Sequence, residues 1–292
     1  MRKDGKRVRD INPMYSVVPH IMAERSDSLN YITVKLPYKP IHEYMNLCRK
    51  NGHPVSHMAL LLTAYLRVVA QNPELNRFVV NKKVYAHNDF KVALVVLKPG
   101  SESEATMGKV EFSLYDTLFD VNRKINEYVT TNRKASEENG MDRVAGTLVR
   151  IPGLLRFGVA LLKFLDKHAL MPRAVIDASP FHSSLTISNL ASIRTKEIYH
   201  HIYNFGTTSV FITMGTPEKN LELVGGVPTE VRYIPLGVVM DERVGSGLLF
   251  AHAFRKFASY LEHPELLEAK PETVILDSPF LPKKKSRACG AV

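Results

Sequence analysis

Cysteine is scarce in this 292-residue chain. Only Cys48 and Cys289 occur, far apart in sequence, which excludes a disulfide framework. The stretch from Met1 to Arg9 is basic and carries no secretory signal, so a reducing, cytoplasmic setting is expected. No segment approaches the roughly 20 apolar residues of a membrane-spanning helix. The most apolar candidate, Pro152 to Leu165, is too short and too charged, with Arg156, Lys163 and the nearby Lys167 forming a narrow polar stripe. Also missing are metal-ligand spacings, a glycine-rich phosphate loop and a nucleophile elbow. No metal site is therefore expected.

What the chain does hold is ordinary material for a soluble globular protein. Hydrophobic residues make up 45% and charged residues 23%, and the length suits one large domain or two small ones with a substantial core. The net charge of +10 raises the question of nucleic acid. Much of the excess lies at the ends, in Arg2, Lys3, Lys6, Arg7 and Arg9, and in Lys283, Lys284, Lys285 and Arg287. Terminal basic runs are usually solvated, and no aromatic interleaving joins them, so no nucleic-acid partner is expected. The terminal Cys289-Gly290-Ala291-Val292 imitates a prenylation box, but Gly290 is not aliphatic and a terminal valine is atypical.

Taken in order, Asn30 to Tyr38 alternates as a half-buried strand, with Ile32, Val34 and Leu36 on one side. Pro40 opens a helix to Lys50 that stops at Asn51-Gly52, and Ser56 caps a second helix from Met58 to Gln71. A strand pair, Phe78 to Val80 and Val84 to Ala86, precedes the nearly all-apolar strand Phe90 to Leu97. Ser113 starts an amphipathic helix through Tyr128. Pro152 to Leu165 reads as a helix buried against the core or a neighbouring subunit rather than in a lipid surface. Leu185 to Leu190 and Phe205 to Gly215 read as further strands. From Val231 an apolar strand runs into the charged turn Asp241-Glu242-Arg243. Past Gly247, Leu248, Phe250, Ala251, Phe254, Phe257, Ala258 and Leu261 recur at helical spacing.

That strand–turn–helix corner resembles the signature of the acyltransferase component of 2-oxo-acid dehydrogenase complexes, whose fold is shared with chloramphenicol acetyltransferase. The family motif Asp-His-Arg-x-x-Asp-Gly falls on Asp241, Glu242, Arg243, Val244, Gly245, Ser246 and Gly247. Leu185-Thr186-Ile187-Ser188-Asn189-Leu190 resembles the family's Thr-Ile-Ser-Asn-Leu-Gly, and Pro73-Glu74-Leu75-Asn76 resembles its helix end. The likeness covers about Tyr15 to Leu97 and Ser183 to Leu267. It implies an α/β fold, a chloramphenicol acetyltransferase-like mixed-sheet sandwich flanked by helices. The expected division is a basic lead (1–14), an acyltransferase-like domain (15–270) with a family-atypical helical insertion (140–180), and a basic tail (271–292). The resemblance further implies a homotrimer with the site between subunits, and transfer of an acyl group from coenzyme A to a small acceptor. No lipoyl-bearing domain is expected ahead of the catalytic region. The segment Lys98-Pro99-Gly100-Ser101-Glu102-Ser103 departs from the family's Gly-Leu-x-x-Pro.

The departures decide the chemistry. Acyl transfer needs a base for the acceptor's proton, and the family uses histidine, whose unperturbed pKa near 6.5 suits neutral pH. Here Glu242 stands in its place, and a carboxylate matches that task only if burial beside apolar walls raises it. Ser188 matches the serine that hydrogen-bonds the oxyanion, with Asn189 beside it in the turn. Arg243 keeps the structural arginine. Ser246 replaces the motif's second Asp and reads equally well as a helix N-cap. His200 and His201 echo a His-His motif of acyl-transferring enzymes without its Asp or its corner, and His201 is a candidate for a displaced base. Two readings follow: a CoA-dependent acyltransferase working through Glu242 and Ser188, and a catalytically retired, oligomeric scaffold.

Overall fold

Alternating and all-apolar segments become the strands of one large sheet, and the helical repeats cover one of its faces. The computed structural model describes residues 2–97, 105–134 and 153–277. Its strands are β1 (Gly5–Arg7), β2 (Leu29–Pro37), β3 (Arg77–Val80), β4 (Lys83–His87), β5 (Phe90–Leu97), β6 (Ala105–Phe112), β7 (Leu185–Asn189), β8 (Val210–Met214), β9 (Glu218–Val224) and β10 (Val227–Asp241). The α-helices are α1 (Pro13–Ile21), α2 (Tyr38–Lys50), α3 (His57–Gln71), α4 (Leu118–Lys134), α5 (Leu154–Lys167), α6 (Arg173–Ala178) and α7 (Gly247–Glu262). The seven-stranded sheet runs β2-β10-β8-β7-β5-β6, with β9 folded back on β10. β7 lies parallel to both β5 and β8 and the other pairs are antiparallel, so the sheet is mixed. β1, β4 and β3 form a separate small sheet.

Strand alternation sorts the side chains. Leu185, Ile187, Val210, Ile212, Leu236 and Val238 point to the helical face and join the residues of α2, α3, α4 and α7 in one apolar core. α3 is buried on nearly all sides, as its run from Ala59 to Ala70 requires, and packs between α4 and α7. Ser56 caps it by accepting from the Ala59 amide at 3.1 Å.

The other face carries Thr186, Ser188, Phe211, Thr213, Gly237 and Val239. An irregular strap, residues 194–209, lies across it. The Thr213 hydroxyl clamps the strap, accepting from the Ile198 amide at 3.1 Å and donating to the Ile198 carbonyl at 2.6 Å. Gly237 makes this approach possible, since a Cβ there would stand 2.3 Å from the Ile198 oxygen. At Gly206, φ is +89° and a Cβ would meet the Phe181 carbonyl at 2.1 Å, so the strap's return also depends on glycine. Residues 206–209 therefore belong to this turn, and the strand expected from Phe205 begins only at Val210.

Three expectations shift. The helix assigned to Ser113 starts at Leu118, because Thr117 is the stronger cap. Its hydroxyl donates to Asp120 at 2.7 Å and the Asp120 amide donates back at 3.3 Å. The basic lead is not a free tail: β1 pairs with β4, and Arg2 is buried on Asp4 (2.8 Å) and Asp166 (2.6 Å). At the other end the packed chain continues to Asp277, where Arg77 pairs with it at 2.7 Å. The basic runs beyond it, the 98–103 departure and Pro152 lie outside the described residues.

α5 is helical as expected, yet among the described residues most of its side chains lie open. Within it only Asp166 is buried, through Arg2 and through His182 at 3.3 Å, while Phe157 and Phe164 are 66% and 54% exposed. A single polar residue at its C-terminal end thus fixes the helix. Asp166→Ala is expected to cost about 3 kcal/mol, the lower end for breaking a buried pair because Arg2 keeps Asp4. Faster hydrogen exchange confined to α5 and the segment 165–182 would accompany it; uniform exchange across the sheet would refute the local attachment.

His87 adds a pH dependence. Its ring packs on Phe78, with centroids 4.4 Å apart, and burial pushes it down to about 4 despite the favourable charge of Asp4. A base depressed in the folded state leaves the unfolded chain to bind the proton first. Stability is therefore complete above pH 6.5 and falls between pH 6.5 and 4, by up to about 3 kcal/mol. Urea unfolding at pH 7.5 and 4.5 is expected to resolve this loss, and His87→Gln to flatten it.

Candidate functional site

The corner after β10 is built around a buried carboxylate. Asp241 has no exposed surface. The Arg243 guanidinium grips it with Nε on Oδ1 at 2.9 Å and Nη2 on Oδ2 at 2.8 Å, and Arg25 Nε reaches Oδ2 at 3.3 Å. Ser28 Oγ donates to Oδ1 at 3.0 Å. Burial works against the ionised form, but the hydrogen bonds and charge of Arg243, with the charge of Arg25, outweigh it and hold Asp241 below the ordinary carboxylate range. Asp241 is thus a permanently charged anchor. Arg25 then extends the network to the strap, donating to the Tyr203 carbonyl at 2.6 Å and the Gly206 carbonyl at 3.1 Å.

The remaining motif positions follow from this anchor. Glu242 starts a short 3-10 turn (Glu242–Val244), half-buried, with its amide on the Ser28 carbonyl at 2.8 Å. Its side chain has no hydrogen-bond or ion-pair partner among the described residues. Ser246 Oγ accepts from the Leu249 amide at 3.3 Å and so caps α7, and its own amide donates to Tyr15 Oη at 3.0 Å. Gly247 opens the helix with nothing within 4 Å of where a Cβ would stand.

Ser188 lies elsewhere on the sheet. It faces a cavity of about 200 Å3 between the sheet and the strap, walled by Val95, Met107, Phe181, Phe205 and Phe211, with Thr186, Ser188 and His200 among its polar edges. His200 stacks on Phe211 at 4.4 Å and 13°, and its Nδ1 lies 2.9 Å from the His201 carbonyl. His201 is exposed and does not line the cavity. Asn189 caps the following turn through the Ser192 amide at 3.2 Å. The register sets Ser188 beside Thr213 and Thr213 beside Gly237. Glu242 is five residues beyond Gly237 and two strands away. At about 3.3 Å per residue and about 4.8 Å per strand, the two are roughly 19 Å apart in one chain. The fold thus joins Ser188 with His200, and Glu242 with Asp241, Arg243 and Ser246, in two separate groups.

Arg25 gives no local signal in the sequence, since its partner Asp241 is 216 residues away. The histidine pair was visible, but only the strap's path tells which ring turns inward.

This architecture is that of acyltransferase catalytic domains. A probable dihydrolipoamide acetyltransferase from Listeria monocytogenes 4b F2365 superposes with a TM-score of 0.57 at 13% identity, over 87% of this chain and 94% of the other. The truncated catalytic core of the 2-oxoacid dehydrogenase multienzyme complex from Thermoplasma acidophilum gives 0.55 at 12% identity, over 89% and 99%. A chloramphenicol acetyltransferase gives 0.52 at 12%, over 88% and 99%. At such identities the likeness is one of fold. No protein-family description and no curated protein matches the sequence.

The buried anchor makes a direct expectation. Asp241→Ala leaves two buried guanidiniums without their carboxylate and should cost about 3–5 kcal/mol. Ser188→Ala, with no ionic partner, should cost about 1 kcal/mol or less. Urea midpoints of the two variants would check this, and equal midpoints would show that Asp241 does not anchor the corner.

Proposed function

We propose that the protein transfers an acyl group between a coenzyme A thioester and a small acceptor, as a cytoplasmic homotrimer. The observation that carries the reading is the small apolar cavity with a serine hydroxyl on its wall, set in an acyltransferase-like fold; that serine is the one the motif resemblance matches to the family's oxyanion serine. Apolar walls suit the acyl end of a thioester and exclude water from it. Beside the corner, a cleft of about 420 Å3 bordered by Lys82, Lys163, Lys167 and Arg243, against Glu24 and Asp166, offers a cationic rim for phosphates. Ser188 Oγ–H would donate to the oxyanion of the tetrahedral intermediate.

Two groups stand ready for the acceptor's proton. Glu242 is where the resemblance puts the base, and with roughly 19 Å to Ser188 in its own chain it could serve only a neighbour's cavity. His200 serves its own. Trimer formation is supported by apolar surface left open: Phe157 and Phe164 on α5, and Leu221 and Leu223, 77% and 74% exposed on the β9–β10 hairpin.

Incubation with a panel of acyl-CoA thioesters and thiol or hydroxyl acceptors is expected to release free CoA. Ser188→Ala should lower kcat by about a hundred- to a thousand-fold with little change in KM. Light scattering should give three chains per particle. Release of CoA from no thioester would refute the enzyme and leave the oligomeric scaffold.

A further inference from the structure

Resting on the acyl-transfer reading above, we infer that His200, in the same chain as Ser188, is the group that takes the acceptor's proton, and that the retained Asp241 and Arg243 act as positioning residues for it. Four observations converge. His200 and Ser188 line one cavity, and Glu242 is not among its walls. The carbonyl of His201 can only accept, so His200 Nδ1 at 2.9 Å carries the hydrogen, and in that tautomer the lone pair is on Nε2. Nε2 has no hydrogen-bond partner among the described residues. Parallel stacking on Phe211 fixes the ring plane. Phe211 pairs with Thr186, two residues before Ser188 on the same sheet face, so the imidazole stands over that face, diagonally across the cavity from the serine.

The strap holding His200 is pinned on both sides. Thr213 clamps Ile198 ahead of it, and Arg25 binds the carbonyls of Tyr203 and Gly206 behind it. Arg25 is in turn held by Asp241, whose second partner is Arg243. The corner that lost its histidine therefore still positions a base, through a different element.

The step balances without another reactant. As the acceptor thiol or hydroxyl attacks the thioester carbonyl carbon, its proton passes to His200 Nε2 and the carbonyl pair moves to oxygen, where Ser188 Oγ–H donates to it. Collapse re-forms the carbonyl and breaks the C–S bond. The departing CoA thiolate takes the proton from Nε2, which leaves the ring neutral.

The test uses the full chain and whichever acyl-CoA the wild type turns over. His200→Gln is expected to lower kcat by about 10²- to 10⁴-fold with KM nearly unchanged, and to remove a limb from the kcat–pH profile. Glu242→Gln should lower kcat far less than His200→Gln does. Co-assembled Ser188→Ala and His200→Gln chains should stay inactive, because each site then lacks one member of a same-chain pair. Loss of activity in Glu242→Gln while His200→Gln stays active, or activity regained on mixing Ser188→Ala with His200→Gln chains, would overturn the assignment while leaving acyl transfer standing. Should no thioester be turned over, acyl transfer itself falls. Imidazole 15N NMR then still judges the geometry: hydrogen on Nδ1 of His200 is expected, and hydrogen on Nε2 alone would refute the inferred tautomer.

Discussion

The pairing of Asp241 with Arg243 and Arg25 is the constraint from which the rest of the arrangement hangs. A carboxylate without exposed surface is unfavourable unless its charge is met at short range and its lone pairs are occupied. Here both oxygens are occupied, by two guanidiniums, the Ser28 hydroxyl and the Arg243 amide at 3.1 Å. These contacts link the end of β10, the start of β2 and the strap. The network runs on to β3, since Arg25 also donates to the Val79 carbonyl at 3.3 Å. One ion cluster thereby ties the large sheet to the small one.

The sheet itself divides the labour. On one side the apolar alternation continues into four helices and forms the core. On the other, Thr186, Ser188, Thr213 and Gly237 stand among larger neighbours, and Ile202, Phe211, Val239 and Leu29 form a small apolar cluster. An irregular strap lies there, with Gly237 admitting the backbone and Thr213 tying it down. Between strap and sheet the packing is incomplete, and the gap is the cavity of Ser188 and His200. The cavity follows from the composition of the face.

These differences explain what could be read beforehand. Periodicity reports on apolar contacts, so the strands, the helices and the mixed sheet were legible from runs such as Phe90 to Leu97 and the face of α3. Local caps were legible where one candidate stood alone, as with Ser56 and Ser246. Where Ser113 and Thr117 competed, the Asp120 partner decided in favour of Thr117. Long-range polar contacts leave no periodic trace: Arg2 on Asp166 and Arg25 on Asp241 join residues 164 and 216 positions apart. The same holds for the histidines, because an irregular strap has no period that assigns an inward side. Resemblance supplied the corner and the serine. It could not tell that the two lie far apart on one sheet, which only the register reveals.

The corner after β10 then has a physical reading. Its residues divide into those that hold the chain and one, Glu242, that does not. Asp241 and Arg243 are buried and mutually dependent, and losing either leaves an unpaired charge inside the protein. Ser246 supplies the capping oxygen at the start of α7 and so holds the helix start. Glu242 has no such structural duty, since its side chain has no bonded partner among the described residues. Such a position can change without strain on the fold, provided that another group supplies the proton transfer or that none is needed. Asp241 and Arg243 hold the corner by stability, and through Arg25 the same cluster holds the strap that carries His200.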